Sequence, residues 1–541
     1  MPVNNLIYQS FKIPNRSGHY LGHHALLTTG IGTITPVLCH PVIPGTKVNL
    51  NQLISASLAP LASDCYLRTS CRVEMFAVPL RFLYGGYEQW LTKENLHKDL
   101  STAVGVQLPC ISFSGAAFKA LCGPGTLADY LGVRVNSTDM AYIGDTDTVK
   151  MNIFPFLAYN YIWDTWYRRP DVQNSFFKRP AFSSSINTTD IQYLPYIAKN
   201  GTSKNDYSVF GILPNSASGF YSLRQRNFSV DYFTSAQLTA QLGDAATVKV
   251  ETVGSDNLFT ISALRVGNSL QVFRDRLGVA GPRFNDYLKA NYGTSISDSN
   301  GRRPILLGSG SIEFYTKGVD QAFSDTTASM STNNPIKSVG ATYGKPMCNG
   351  EIQLCKDFVA EEPMYIMVMN TVVPKVNYSS GVERYMLHYT ENGCEVDLAN
   401  PILQNVGNQE IKQAELSPAA VRQQNINDVF GYQQRYAEYM YRNDRVHGLF
   451  RTGGSLASYV SQRYIGQSPV LSNSFLQIPT NYLDNVSAVG SNISTYGALI
   501  DTYFDFSVSQ PLYDSSIPSL VNPAEEHGKE VVVMRNGQRI I

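Results

Sequence analysis

From Cys65 to Val78 the residues alternate with a period of two. Cys65, Leu67, Thr69, Cys71, Val73, Met75 and Ala77 fall on one side of an extended chain; Tyr66, Arg68, Ser70, Arg72 and Glu74 fall on the other. Such a run specifies a β-strand with one face in a core and the other toward solvent or a neighbour. Pro79 ends it, because proline cannot donate to a ladder. Thr33 to Cys39 and Lys47 to Ile54 are further short strand candidates, separated by Pro41 and the Pro44-Gly45 turn. The chain before them reads as irregular. Glu351 to Phe358 and Met364 to Val373 have the composition of strands in the same sheet system.

Between these strands the pattern changes. Pro155 suits the first turn of a helix near 155–168, where Ala158, Ile162 and Trp166 recur at four-residue spacing and Pro170 closes the run. A second helix is expected over 261–278, with Val266, Leu270, Phe273 and Leu277 as its apolar stripe. A shorter one is expected over 283–292, with Phe284 and Leu288, and another from Tyr432 to Tyr441, carrying Tyr436, Tyr439 and Met440. Residues 100–150 and 180–230 are polar and turn-rich. The tail is β-like, with Asn536-Gly537 as a hairpin turn signal.

Strands at both ends, with helices and loops between, argue against βαβ repetition. They predict a mainly β protein, one sandwich or barrel closed by distant strands and carrying large insertions. Length alone, 541 residues, would suggest about three or four domains, but one β domain with long excursions reaches the same size. The expected organisation is a single domain over 1–541 with insertions at 100–150, 155–345 and 375–428.

Composition bears on partners. Charged residues make up 16% of the chain, below the ~25% usual for soluble domains, and there are 33 tyrosines. Tyrosine offers a large apolar face with one polar tip and is enriched at interfaces. That favours assembly, although large β proteins can be tyrosine-rich without it. Lys plus Arg and Asp plus Glu both number 43, so formal net charge is zero. Condensing nucleic acid alone would need a cationic excess to replace counterions. Contact with DNA must then be local, or another protein must supply the charge. No run approaches the ~18–20 apolar residues of a membrane span, and Met1 to Gly18 lacks the basic-then-apolar pattern of a signal peptide. A cytosol-like compartment until lysis is expected. None of the eight cysteines forms a CxxC pair. Cys65 and Cys71, on one strand face, would lie ~20 Å apart, too far for a local disulfide. Reduced, mostly buried thiols are expected.

Several clusters invite a chemical reading beside a plainer one. His19, His23 and His24 lie close in sequence beside Gly18 and Gly22, but nothing nearby completes a metal site, so solvated or interface histidines are favoured. Asp145-Thr146-Asp147 resembles a phosphoryl-transfer pair, yet its polar flanks favour a turn, with weak cation binding as the alternative. Gly308-Ser309-Gly310-Ser311 is not followed by a helix carrying GK[ST], which argues against phosphate binding. Glu361-Glu362 and Glu525-Glu526 read as exposed pairs that could hold Ca²⁺ or oppose a neighbouring subunit. Trp166-Tyr167-Arg168-Arg169 and the stretch from Tyr436 to Arg445 mix rings with guanidinium groups, as single-stranded DNA sites do; helix packing and subunit contacts are favoured instead. Lys529, Arg535 and Arg539 in the tail are candidates for internal DNA or for reaching a neighbour.

More specific are longer strings. Asp231-Tyr232-Phe233-Thr234-Ser235-Ala236 resembles a signature of gokushovirus-type major capsid proteins of the microvirus family. Val78-Pro79-Leu80-Arg81, the run from Pro155 to Ile162, Trp166-Tyr167-Arg168, Arg303-Pro304 and Leu307 to Ser311 are similar to further family blocks in the same order. So are Val429 to Gln433, Arg435, Ala437-Glu438-Tyr439 and Gly448-Leu449-Phe450-Arg451. Together they span ~16 to ~451, and their shared order is more specific than any one of them.

The resemblance implies an eight-stranded antiparallel jelly-roll barrel with long insertions. It implies a T=1 icosahedral shell of about sixty copies around a circular single-stranded DNA genome, assembled in a bacterial cytoplasm and carried in the virion. A small basic DNA-binding companion protein and a bacterial surface receptor follow as partners; no membrane and no resident cofactor do. One departure stands out. Only about two dozen residues separate Ala236 from the expected helix at 261, and the Pro-Trp-Pro that usually follows the signature is missing. This argues against a large threefold protrusion from that site and points to 100–150 or 180–230 for surface features. The rival class is a β-sandwich glycan-active hydrolase using paired carboxylates and sugar-stacking rings, but no carboxylate pair stands out by spacing and no secretion signal is seen. A receptor-binding role would be secondary for the same shell.

Overall fold

The computed structural model describes residues 11–13, 16–61, 65–83, 87, 110–174, 209–210, 221–238, 265–267, 269, 303–321, 342–387, 408–421, 428–434, 436–487, 497–511, 529–531, 533–535 and 538–540. Two antiparallel sheets dominate. In chain order their strands are β1 (Arg16–Tyr20), β2 (His23–Thr29), β3 (Thr33–Val42), β4 (Lys47–Leu58), β5 (Thr69–Pro79), β6 (Arg224–Gln225), β7 (Ile305–Glu313), β8 (Tyr315–Gln321), β9 (Thr342–Val359), β10 (Met364–Pro374) and β11 (Ala498–Pro511). The first sheet has the order β6-β3-β10-β5-β7. The second runs β8-β9-β4-β11, and β11 carries both β1 and β2 along its other side.

The mainly β class is as expected, while the strand count is larger than eight. Eight long strands divide four and four between the sheets; β1, β2 and β6 bring the total to eleven. β3 and β4 run longer than the sequence suggested, turning at Gly45, whose φ of +82° suits glycine. β1 and β2 occupy a region read as irregular. Pairing with β11 overrides weak local patterning there.

β5 shows how the layers are built. Its register with β10 pairs Met75 with Val368 and Ala77 with Ile366. Cys71, Val73, Met75 and Ala77 point into the space between the sheets, against Leu50, Ile54, Ala56, Phe504 and Phe506. That face is as the alternation predicts. The opposite face is not open. Phe76 and Val78, with Ile34, Met367 and Met369, enter a second apolar core with Phe154, Phe156, Leu157 and Tyr159. The start of the strand also differs: Cys65 and Leu67 precede β5 and do not lie in it.

The second core exists because the insertion folds back over the first sheet. A ladder of Cys110–Ser114 with Thr148–Asn152 flanks short helices. Phe154–Ile162 is α-helical with Pro155 in its first turn, and Trp163–Tyr167 continues as a π-helix. Nearly every side of that helix is buried, so it lacks an amphipathic stripe. Tyr159 donates to the Ile34 carbonyl at 2.7 Å and accepts from the Arg224 amide at 2.8 Å, tying helix to sheet. The centre of the first sheet, β3, β10 and most of β5, is thus covered on both faces, while Ser309, Ser311 and Glu313 of β7 stay exposed.

At one corner the chain crosses between sheets, β7 running through buried Phe314 into β8. There β7 lies directly on β9. A Cβ on Gly308 would overlap the Leu354 carbonyl oxygen, one on Gly310 would lie 2.6 Å from the Ile352 side chain, and one on Gly350 would lie 2.8 Å from Ile312. The Gly308-Ser309-Gly310-Ser311 run is therefore a close-packing device that brings the sheets together.

The helix expected from Tyr432 to Tyr441 is replaced. Val429–Gln433 is a strand paired with Gln409–Lys412, and only Ala437–Met440 is helical. Tyr436, at φ +64°, breaks the run between them. Of the helix expected over 261–278 only 265–267 and 269 are described, all helical; the one over 283–292 lies outside the described residues. Near the end, Val533–Arg535 pairs with Gln538–Ile540 through Arg535 and Gln538, the register a two-residue hairpin loop demands.

Candidate functional site

The signature turn is a knot joining distant segments. Asp231 Oδ1 accepts from the amides of Phe233 and Thr234 at 2.9 and 2.7 Å, an Asx-type closure. Its Oδ2 accepts from the Tyr378 hydroxyl at 2.7 Å. Arg169 donates to the carbonyls of Thr234 and Ala236, and its guanidinium is held by Asp171 at 2.6 Å. Gln433 donates to the Tyr232 carbonyl at 3.0 Å and to Ser235 Oγ at 2.7 Å. Phe233 is buried against Tyr378 and Phe430. Burial and the Asp231 charge push the Tyr378 phenol well above its ordinary range. Every polar group of this motif is spent on architecture.

Two buried ionic clusters behave likewise. Glu74, on the face of β5 read as outward, is paired with Arg226 at 2.7 Å and Arg72 at 3.0 Å, and Tyr167 donates to it. Burial alone would raise its carboxyl, but the hydrogen bonds and charge of Arg226, with Tyr167 and Arg72, hold it below the ordinary value. Glu415 pairs with Arg384 at 2.8 Å and accepts from Tyr232 at 3.2 Å. There burial prevails and pushes the carboxyl up. Neither cluster lines the depression described below.

The residues singled out by sequence are mostly dispersed. His19 contacts Ser17, the His23 ring lies 5.2 Å from Phe504, and His24 sits 3.9 Å from Asp501, all along β11. Among the described residues no group of three His, Cys, Asp or Glu side chains could hold a metal ion. Asp147 accepts from the Gly144 amide at 2.6 Å, and Asp145 pairs with Lys119 at 2.8 Å, so this stretch is a turn. Glu362 pairs with Arg81, beside exposed Glu361; Glu525 and Glu526 lie outside the described residues. Trp166 donates to the Pro304 carbonyl at 2.9 Å, and Arg168 pairs with Asp164 at 2.7 Å, so this ring-and-arginine string serves packing. Lys529–Val531 pairs with Phe11–Ile13, joining the two ends of the chain, and Arg535 and Arg539 lie in the terminal hairpin. Described cysteines are unbridged, and burial pushes the Cys39 thiol up to about 12.

The available surface lies elsewhere. The second sheet packs its inner face and exposes much of its outer face: Leu499, Asp501, Leu53, Ser55 and Leu26 are exposed there in adjoining registers. Leu26 is 81% exposed and Leu499 54%. A shallow depression of about 550 Å³ at one end is bounded by these leucines, Met347 and the 124–130 loop. Exposed leucines without a covering layer mark a docking face more than a catalytic one. Sequence reasoning did not single out this face, although the alternation along Ala498–Pro511 carries it.

A two-sheet β scaffold whose polar clusters are sealed and whose open sheet is partly apolar defines a structural, assembling protein. The comparisons specify it further. Residues 9–520 match the family described as Capsid protein (F protein), and the chain belongs to that family. It is similar to Capsid protein VP1 of Bdellovibrio phage phiMH2K, 23% identical over 524 residues, covering 90% of this chain and 92% of that one. It is likewise similar to Capsid protein VP1 of Spiroplasma virus 4, 23% identical over 560 residues, covering 93% and 95%. Capsid protein VP1 of Chlamydia phage 1 is 26% identical over 272 residues, 48% of this chain and 42% of that one. The chain is therefore a structural capsid protein of a small bacteriophage, a virion component and not an enzyme. Among the described residues no helix is long and apolar enough to cross a membrane.

Proposed function

We propose that this chain is the major subunit of a T=1 icosahedral shell, about sixty copies related by closed symmetry, around a circular single-stranded DNA genome. The observation that carries this reading is the asymmetry of the two sheets. The centre of the first, β3, β10 and most of β5, is buried on both faces, while the second offers Leu26, Leu53 and Leu499 on its exposed outer face. A rigid block with one unsatisfied face gains by burying it against a neighbour, at roughly 25 cal/mol per Å² of apolar surface. The eight long strands, four in each sheet, support a jelly-roll reading of the core.

Zero net charge supports a division of labour. Most of the genome charge is neutralised by a small basic companion protein, since this chain has no cationic excess. A bacterial surface receptor meets exposed insertions. If Ca²⁺ binds, paired carboxylates at a subunit boundary would hold it, because no three-ligand group exists within the described part of one chain.

Electron microscopy of particles purified from lysate tests the shell. Uniform icosahedral particles with about sixty subunits, holding DNA sensitive to a single-strand nuclease once released, are expected. A dispersed monomer under those conditions, or particles holding duplex DNA, would overturn the reading.

A further inference from the structure

Two thiols meet across the space between the sheets. Cys71 lies on β5 and Cys348 on β9, and both are fully buried in the core between them. The Cys71 thiol donates a hydrogen bond to Cys348 Sγ, which also accepts from the Ala56 amide on β4. The glycine corner explains this approach. Packed sheets ordinarily stand ~10 Å apart, too far for two cysteines to join. Here Cys71 pairs in register with Ile312 of β7, and Ile312 reaches β9, where a Cβ on Gly350 would lie 2.8 Å from it. Cys348 shares the face of Gly350, two residues along the same strand. β5 and β9 accordingly hold Cα pairs within 8 Å of each other.

The hydrogen bond from Cys71 lowers the Cys348 thiol below its ordinary 9.0, against the effect of burial. The same contact, with burial, raises Cys71 well above that value. Cys348 is therefore the nucleophile of the pair, since the thiolate is the reactive form. We propose that Cys71 and Cys348 form a latent disulfide, which clamps the two sheets together once the chain meets peroxide outside a reducing cytosol. The Cys348 thiolate attacks one oxygen of hydrogen peroxide; the O–O bond breaks and leaves a sulfenic acid and hydroxide. The hydroxide takes up the proton that Cys348 had lost. The Cys71 sulfur then attacks the Cys348 sulfur, the S–O bond breaks, and the Cys71 proton leaves in a second water. Two thiols are oxidised by two electrons, and one peroxide is reduced to two waters. A cytosol keeps such thiols reduced, whereas a virion component persists outside it. Peroxide is little larger than water, so a brief local opening of the sandwich admits it. The closed loop spans roughly half the chain, and a long loop restricts the unfolded state most. The inference stands apart from the shell reading, because it needs only the folded chain.

The test treats the purified full chain with hydrogen peroxide, alkylates the remaining thiols, digests without reduction and reads peptide masses. A linked pair of peptides carrying Cys71 and Cys348 is expected, and a thiol reductant separates it. The melting temperature rises by about 4 °C on oxidation and returns on reduction. Cys71→Ala removes both the linked pair and the rise; the native-chain masses decide even where that variant fails to fold. Sulfoxide at the exposed Met386 and Met440 shows that the oxidant acted. Sulfoxide there without the linked pair, or a linked pair that forms only in urea, overturns the proposal. A linked pair with an unchanged melting temperature overturns the clamp.

Discussion

The Tyr378 hydroxyl donates to Asp231 Oδ2 at 2.7 Å, joining the signature turn to the chain just beyond β10. Buried hydrogen bonds to an ionised acceptor contribute about 1.5–3 kcal/mol. Tyr378→Phe keeps the stacking on Phe233, so it isolates the hydroxyl; a loss of about 2 kcal/mol is expected. Asp231→Ala strands the Phe233 and Thr234 amides as well and costs more. Urea denaturation of the purified protein reads both, and equal midpoints for Tyr378→Phe and the native chain would contradict the role given to this bond.

The glycines of β7 make a steric prediction. Gly308→Ala places a methyl group on the Leu354 carbonyl, while Gly18→Ala meets nothing within 4 Å. The first should prevent the sheets from closing and move the protein to the insoluble fraction. The second should leave soluble yield unchanged. Overlap with backbone is harder to relieve than overlap with a flexible side chain, so Gly308 should tolerate less than Gly310, where Ile352 can shift.

Acid should act in two windows. His40 sits edge-on to Phe506 at 5.1 Å and half-buried; burial, then the nearby His23, lowers its pKa below the ordinary 6.5. The unfolded chain therefore takes up this proton first. Stability is full above pH ~6.5 and declines as pH falls toward the depressed folded value. Glu74 is also depressed, against an ordinary value of 4.5. Its contribution is present above that value and is lost as pH falls through the folded one. His40→Gln should flatten the first step in melting temperature and leave the second. A first step that survives His40→Gln would rule out the assignment.

These features divide by how far their causes lie along the chain. The inner face of β5 was legible because alternation is local: Cys71, Val73, Met75 and Ala77 show it without help. Glu74 reads as outward, and the burial of Phe76 and Val78 on the same face goes unseen, because what covers them, Arg226 and the helix at Phe154–Ile162, is remote in sequence. Tyr432 looked helical beside Tyr436 and Met440 until pairing with Gln409–Lys412 claimed it. The glycine run at 308–311 could be denied a phosphate role from sequence, but its packing role needed β9 in place. The rings of Tyr66 and Phe450 meet edge-on although the two residues lie almost four hundred positions apart, and no spacing rule reaches that far. The string at Asp231–Ala236 is informative where periodicity is not, because its residues are tied to distant partners, Asp231 to Tyr378 and Ser235 to Gln433.

The exposed outer face of the second sheet carries the last prediction. Leu26 and Leu499 stand on neighbouring strands β2 and β11, where Thr28 pairs with Leu499 and Leu26 with Asp501. Neither leucine supports the core, so Leu26→Glu and Leu499→Lys should each shift the urea midpoint little, within about 0.5 kcal/mol. Assembly should respond differently. Placing a charge where a neighbour buries apolar surface costs several-fold more than the lost contact, because the charge must be desolvated. Sedimentation should then show folded subunits in place of particles for each variant. The double variant should recover part of the assembly only if the two positions meet across an interface, since opposite charges would then pair. Full-size particles at native yield from Leu26→Glu would show that this face points to solvent, and that copies meet through other loops.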